Sequence, residues 1–165
     1  DFDRLFALVK KSTNSNQKKY DMFGHSAGGQ ILHRFVLFQP NSKADRILAS
    51  NAGTYTLPDS ETFCPFGIEN VTIPKKQLKK SFNKKLVLFL GELDNNLETK
   101  GRMLRSKTAD KQGISRIDRG KNFYSFSEEL SRKSKMKFKW KLEIMPKVGH
   151  DQKKMAKAAA KYLYE

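Results

Sequence analysis

The sequence predicts an α/β domain built on a mostly parallel sheet of about four strands flanked by helices. Three observations carry this. Short runs of strand character alternate with longer runs whose apolar residues recur every three to four positions, and that alternation implies crossovers between parallel strands. Leu86-Val87-Leu88-Phe89-Leu90 is a continuous apolar run with turn-forming residues on both sides, the pattern of a strand buried on both faces. The 165 residues, 38% of them apolar and 12 of them Phe, suffice for one buried core.

Each element has its own local signal. Phe2, Leu5, Phe6, Leu8 and Val9 share one side of a helix over 1–11. After a polar turn over 12–19, Tyr20-Asp21-Met22-Phe23 is a short strand broken by Gly24. Ile31, Leu32, Phe35, Val36 and Phe38 define a helix over 27–38, stopped before Pro40. A second strand, 46–50, ends at Asn51-Ala52-Gly53, and 54–72, with Pro58, Pro65 and Gly67, reads as loop. Pro74 opens a basic helix that reaches Phe82. Beyond the 86–90 strand, a polar loop is expected from Gly91 to about Gly120, then a helix over 122–134 with Phe123, Phe126 and Leu130 inward. Trp140, Leu142 and Ile144 alternate along a strand over 138–145. Asp151 caps a last helix, to Tyr164, whose apolar stripe is Met155, Ala158, Ala159 and Tyr162. No repeat, low-complexity segment or linker divides the chain, so residues 1–165 read as one domain.

Composition excludes several classes. No apolar stretch is long enough to span a bilayer. The single cysteine, Cys64, excludes an internal disulfide framework and a cysteine-rich zinc site, and reads as a small buried hydrophobe. Lys+Arg number 33 against 17 Asp+Glu, a net charge of +16 that attracts polyanions. The lysines are spread from Lys10-Lys11 to Lys153-Lys154 and form no block interleaved with aromatics, so a solvated surface and no nucleic-acid partner are expected. A basic, non-enzymatic module for a polyanion or nucleic acid on the same scaffold is the alternative class. It accounts for the charge but not for the chemistry gathered at strand ends. A cytoplasmic location follows if no signal precedes the chain, a secreted or periplasmic one if a signal does.

Parallel sheets bind ligands beyond the carboxyl ends of their strands. At one such end stands Gly24-His25-Ser26-Ala27-Gly28, a G-x-S-x-G pattern between strand and helix, the context of a nucleophile elbow. The serine must sit on a tight, strained turn, and the flanking glycines keep side chains from colliding with strand and helix. The helix opening at Ala27 turns its positive end toward the reacting oxygen. A serine needs a base. His150, in Val148-Gly149-His150-Asp151, follows the last strand and is the candidate. His25 lies next to the serine with its side chain directed away from that hydroxyl, as a packing or polar neighbour at the substrate pocket; His33 is mid-helix and reads as packed. The carboxylate that fixes the imidazole tautomer should follow another strand, and Asp94 in Gly91-Glu92-Leu93-Asp94 does. Glu92 is its nearest rival, while Asp110 and Asp118 lie deeper in the loop.

The order Ser26, Asp94, His150 and the strand-turn-helix context of Gly24–Gly28 resemble the α/β-hydrolase superfamily. Ser50-Asn51-Ala52-Gly53-Thr54-Tyr55-Thr56-Leu57-Pro58 and the stretch from Ala109 through Arg116, Arg119-Gly120 and Phe123-Tyr124 look similar to bacterial members of esterase and polyester-depolymerase type. The resemblance runs over nearly the whole chain. It implies a serine hydrolase acting on small or polymeric carboxylic esters: Ser26 as nucleophile, His150 as base and acid, Asp94 as orienter, the Ala27 N–H as one oxyanion donor, and no metal or organic cofactor. A full member has several strands and helices before its elbow, whereas here 23 residues precede Gly24. The resemblance therefore implies a partial α/β-hydrolase fold, truncated at its amino end, with the second oxyanion donor outside the chain, an open edge on the first strand, and weak or no activity of these residues alone.

Two loops, 54–72 and 95–120, are expected to line or cover the pocket. Tyr55, Phe63 and Phe66 would supply apolar walls. Arg102, Arg105, Arg116 and Arg119 would meet a carboxylate or phosphate, or be ordinary surface arginines.

Overall fold

Alternation along two central strands decides the layering. In a computed structural model describing residues 1–165, β1 (Tyr20–His25), β2 (Ala44–Ser50), β3 (Lys85–Gly91) and β4 (Lys141–Met145) form one sheet in the order β1-β2-β3-β4, every neighbouring pair parallel. Ile47 and Ala49 of β2 and Leu86 and Leu88 of β3 point into a core shared with Leu32, Val36 and Leu37 of α2 (Ala27–Phe38), Phe82 of α3 (Lys75–Phe82) and Phe123. The residues between them, Leu48, Val87 and Phe89, face the other side against Met155, Ala159 and Leu163 of α6 (Gln152–Tyr164). Each fully buried side chain of this kind stabilises the fold by about 1.5–3 kcal/mol. No helix is long and apolar enough to cross a membrane.

Boundaries depart from the sequence reading where distant contacts override local signals. β1 runs through Gly24, which pairs with Ala49, because the absent side chain lets helix α2 approach: a Cβ there would lie 2.6 Å from the Gly28 carbonyl oxygen. The polar loop after β3 contains a short helix, α4 (Lys107–Asp110), and α5 (Arg116–Lys133) starts six residues before the predicted Asn122. Ser115 caps α5, accepting from the Asp118 N–H while its hydroxyl donates to the Asp118 carboxylate at 2.6 Å. Gly120, read as the end of a loop, is inside that helix, where a Cβ would meet Leu90 Cδ1 at 2.6 Å; the glycine lets α5 lie on β3. Residues 138–140, predicted to open the last strand, are tied to the end of α3 instead: the Lys139 N–H donates to the Phe82 carbonyl and the Trp140 indole to the Ser81 carbonyl. Asp151 caps α6 as read, accepting from the Lys154 N–H at 3.0 Å.

At the β1 edge, α1 (Phe2–Ser12) buries none of its residues fully. It is held by Phe2 against Phe35, Phe6 against Tyr20 and a 2.7 Å hydrogen bond from the Tyr20 hydroxyl to Asp3. Leu5, Leu8 and Val9 stay exposed, and a groove of about 360 Å3 runs between this helix and the outer side of β1.

His33, packed between Tyr55 and Phe123, is completely buried. Its Nδ1 hydrogen bonds to the Gly29 carbonyl and its Nε2 accepts the Thr56 N–H at 2.9 Å, which defines a neutral ring protonated on Nδ1. Burial pulls its pKa down from 6.5 to about 3. Above pH 6.5 the ring is neutral folded or unfolded; as the pH falls toward 3, only the unfolded chain binds the proton. Stability should then decline by about 1.4 kcal/mol per pH unit from this group. Urea unfolding of His33→Gln across that window should show a slope shallower by one proton.

Candidate active site

All four strand ends contribute to one cluster. β1 ends at His25, and Ser26 follows at φ 57°, ψ −114°, a conformation rare for a residue with a side chain. This turn is held by the Ser26 N–H donating to the Ser50 carbonyl at 2.9 Å. β2 ends at Ser50, followed by Asn51, also at positive φ. The turn after β3 carries Asp94, and the turn after β4 carries His150.

These residues form a hydrogen-bonded row. Ser26 Oγ is 3.2 Å from His150 Nε2, and His150 Nδ1 is 2.7 Å from Asp94 Oδ2. Asp94 is 1% exposed. The same carboxylate oxygen accepts from Asn51 Nδ2 at 2.5 Å, while Oδ1 accepts from Arg116 Nη1 at 3.1 Å. Burial alone pushes the Asp94 carboxyl up, but hydrogen bonds from His150 and Asn51 and the charges of His150 and Arg116 outweigh it, so its pKa is lowered. The anion is therefore stable in a dry setting, where its field on the imidazole is strong. His25 lies against His150 with ring centroids 4.6 Å apart and hydrogen bonds through Nδ1 to Ser50 Oγ at 3.2 Å. On another side of the imidazole runs the turn 95–101, whose Glu98 carboxylate accepts the His150 N–H at 2.6 Å.

The glycines divide differently from the expectation. Gly24 is crowded as described, but a Cβ on Gly28 would meet nothing within 4 Å. The crowded neighbour is Gly29, where a Cβ would stand 2.5 Å from the Ser50 carbonyl oxygen, the group that anchors the Ser26 turn. Gly29→Ala should destabilise the protein by about 1–3 kcal/mol, as overpacking does, and Gly28→Ala should be nearly neutral; parallel thermal melts of the two variants test this.

Several expected pocket residues lie elsewhere. Tyr55 is wholly buried, stacked on Phe123 at 4.8 Å in the main core, because the 54–58 segment packs onto α2 and α5 and does not stand free as a loop. Arg116, 4% exposed, is the ion partner of Asp94 and also donates to the Gly101 carbonyl, so it braces the site from inside and does not face a ligand. Arg119 is fully buried and ties together the carbonyls of Gly53, Leu104 and Gly113 and the Asp110 carboxylate. Arg105 pairs with Asp110, and Arg102 is exposed. Phe63 is exposed and Phe66 half-buried; neither makes a hydrogen bond or ring contact with Ser26, His25 or His150. Cys64 is exposed on the same loop, not buried. Glu92, the rival acid, is turned away and accepts the Lys147 N–H. Sequence reasoning passed over Asn51, although its place directly after a strand was a signal; nothing local marked Glu98 or Gly101.

Poly(aspartic acid) hydrolase-1 from Sphingomonas sp. KT-1 superposes on this chain with a TM-score of 0.91 at 34% identity, covering 98% of this chain and 61% of that one. LpqC, a poly(3-hydroxybutyrate) depolymerase from Bordetella parapertussis, superposes with a TM-score of 0.89 at 27% identity, covering 98% and 54%. The chain is an α/β-hydrolase by fold. It spans about three-fifths of the length of the first of these structures and about half of the second. The siderophore hydrolase EstA from Aspergillus nidulans shares the α/β-hydrolase fold more distantly, with a TM-score of 0.52 at 16% identity over 97% of this chain and 52% of that one. No family model matches this chain, and no curated protein does.

Proposed function

We propose that this chain carries the catalytic centre of a serine hydrolase that cleaves carboxylic esters through an acyl-enzyme. The reading rests on the Ser26–His150–Asp94 row, with its distances of 3.2 and 2.7 Å, lying above the carboxyl ends of the strands. Ser26 is the nucleophile on its elbow. His150 takes the hydroxyl proton through Nε2 as Oγ attacks the ester carbonyl, and Asp94 holds Nδ1–H and stabilises the imidazolium. The Ala27 N–H, first in α2, has no carbonyl one turn earlier in that helix to bond with and is one donor to the oxyanion. His150 then returns the proton to the leaving alcohol. Water, deprotonated by the same imidazole, releases the acid and restores Ser26. No step calls for a metal or organic cofactor.

One similar protein is named for depolymerising poly(3-hydroxybutyrate), a polyester, and this supports a polymeric ester as substrate alongside small esters. His25, whose ring lies against His150, is the residue we assign to the pocket wall. A fluorophosphonate reads the proposal directly. The intact protein should give a single adduct that maps to Ser26 and disappears in His150→Ala. A folded protein that forms no adduct, or one whose adduct persists in Ser26→Ala, removes the reading.

A further inference from the structure

Asn51 sits at the end of β2 with its side chain spread over three strand ends. Its Oδ1 accepts the Gly91 N–H at 3.1 Å and the Ser50 hydroxyl at 3.0 Å; its Nδ2 donates to Asp94 at 2.5 Å. These partners fix which way the amide points, since a flipped amide would set its oxygen against the Asp94 carboxylate and its NH2 against the Gly91 N–H. Ser50 has one proton and gives it to Asn51, so at the 3.2 Å contact with His25 Nδ1 the imidazole must donate. His25 is therefore the Nδ1–H tautomer.

The result is a loop of contacts: His25 to Ser50, Ser50 to Asn51, Asn51 to Asp94, Asp94 to His150, and the His150 ring back against His25. We propose that Asn51, with Ser50 and His25 behind it, is a positioning residue that locks Asp94 and His150 in register with Ser26. This rests on the Ser26–His150–Asp94 reading above and extends it to residues outside that row. The second oxygen of Asp94 is held by Arg116, so Asn51 sets the rotation of the carboxylate about that anchor. His25 serves as the flat backing. Burial, with the nearby charges of His150 and Arg116 outweighing those of Asp94 and Asp151, lowers its pKa from 6.5 to about 4. It thus stays neutral at pH 7 and does not oppose the positive charge that forms on its neighbour during turnover.

The test uses Asn51→Gly, which suits the positive φ at this position, and Asn51→Asp, which keeps the shape but cannot donate. For Asn51→Gly, kcat should fall about 100-fold with KM little changed, the cost expected of a loosened catalytic geometry. The low-field proton resonance of the His150–Asp94 hydrogen bond should broaden as its exchange quickens. For Asn51→Asp, a second carboxylate beside the first should move the acid limb of the kcat/KM profile to higher pH. Labelling by fluorophosphonate separates the two readings. If the unaltered protein is not labelled, the serine-hydrolase reading fails; if it is labelled and both variants are labelled at its rate with unchanged pH profiles, the positioning role alone fails.

Discussion

Replacing Asp94 with asparagine is expected to lower kcat about 10⁴-fold, the cost of presenting the imidazole in the wrong tautomer. In the native site, Oδ2 accepts from both His150 Nδ1 and Asn51 Nδ2, and Oδ1 from Arg116. An amide cannot satisfy all three donors. With its oxygen toward His150 and Asn51, its NH2 faces the guanidinium; with its NH2 toward them, it meets the Asn51 amide hydrogens and leaves His150 to donate elsewhere. Either way Arg116, 4% exposed, loses its counter-ion. Breaking a buried pair from one side costs roughly 3–5 kcal/mol. Steady-state kinetics and urea unfolding on the same preparation should therefore show both losses. A variant with near-native kcat would assign the acid's role to another group.

Gly101→Ala is expected to cost at least about 100-fold in kcat/KM, because displacements near 1 Å at the reacting groups carry penalties of that size. Gly101 has φ +70°, and a Cβ there would lie 2.7 Å from His150 Cδ2 and 3.0 Å from His150 Nε2, the nitrogen that faces Ser26. The added methyl must push the imidazole or the turn that carries it. The left-handed backbone adds about 1–2 kcal/mol against any L side chain. The rate of fluorophosphonate labelling should drop in step with kcat/KM while the variant stays folded at 25 °C. Labelling at the native rate would mean that the 95–101 turn yields freely and does not brace His150.

Local pattern was enough to find what depends on local pattern. The 86–90 run, the α2 stripe and the Asp151 cap are set by residues within a turn or two of one another, and they lie where the sequence puts them. Ser26, Asp94 and His150 each follow a strand, and the fold brings the three side chains within hydrogen-bond reach. Side chains that work through distant partners escaped. Arg116 and Arg119 look like surface arginines until Asp94, 22 residues away, and Gly53, 66 residues away, are folded beside them. Tyr55 looks like a pocket wall until Phe123 covers it. Gly24 and Gly120 look like breaks, yet each marks a place where a helix comes close enough to a strand to leave no room for a methyl group. The Asn51 amide joins the ends of β2 and β3 to the turn after β4, a convergence that no single stretch of sequence displays.

The uncovered flank formed by α1 and the outer side of β1 belongs to a molecule of net charge +16. Like-charged particles repel over a screening length of roughly 30 Å in 0.01 M salt and about 8 Å at 0.15 M. In dilute buffer the lysines hold two such flanks apart; at physiological ionic strength their field fades within a few water layers, and unpaired backbone on one molecule can reach that of another. The lysine coat thus acts as a charge barrier between such flanks, with a reach set by the ionic strength of the medium.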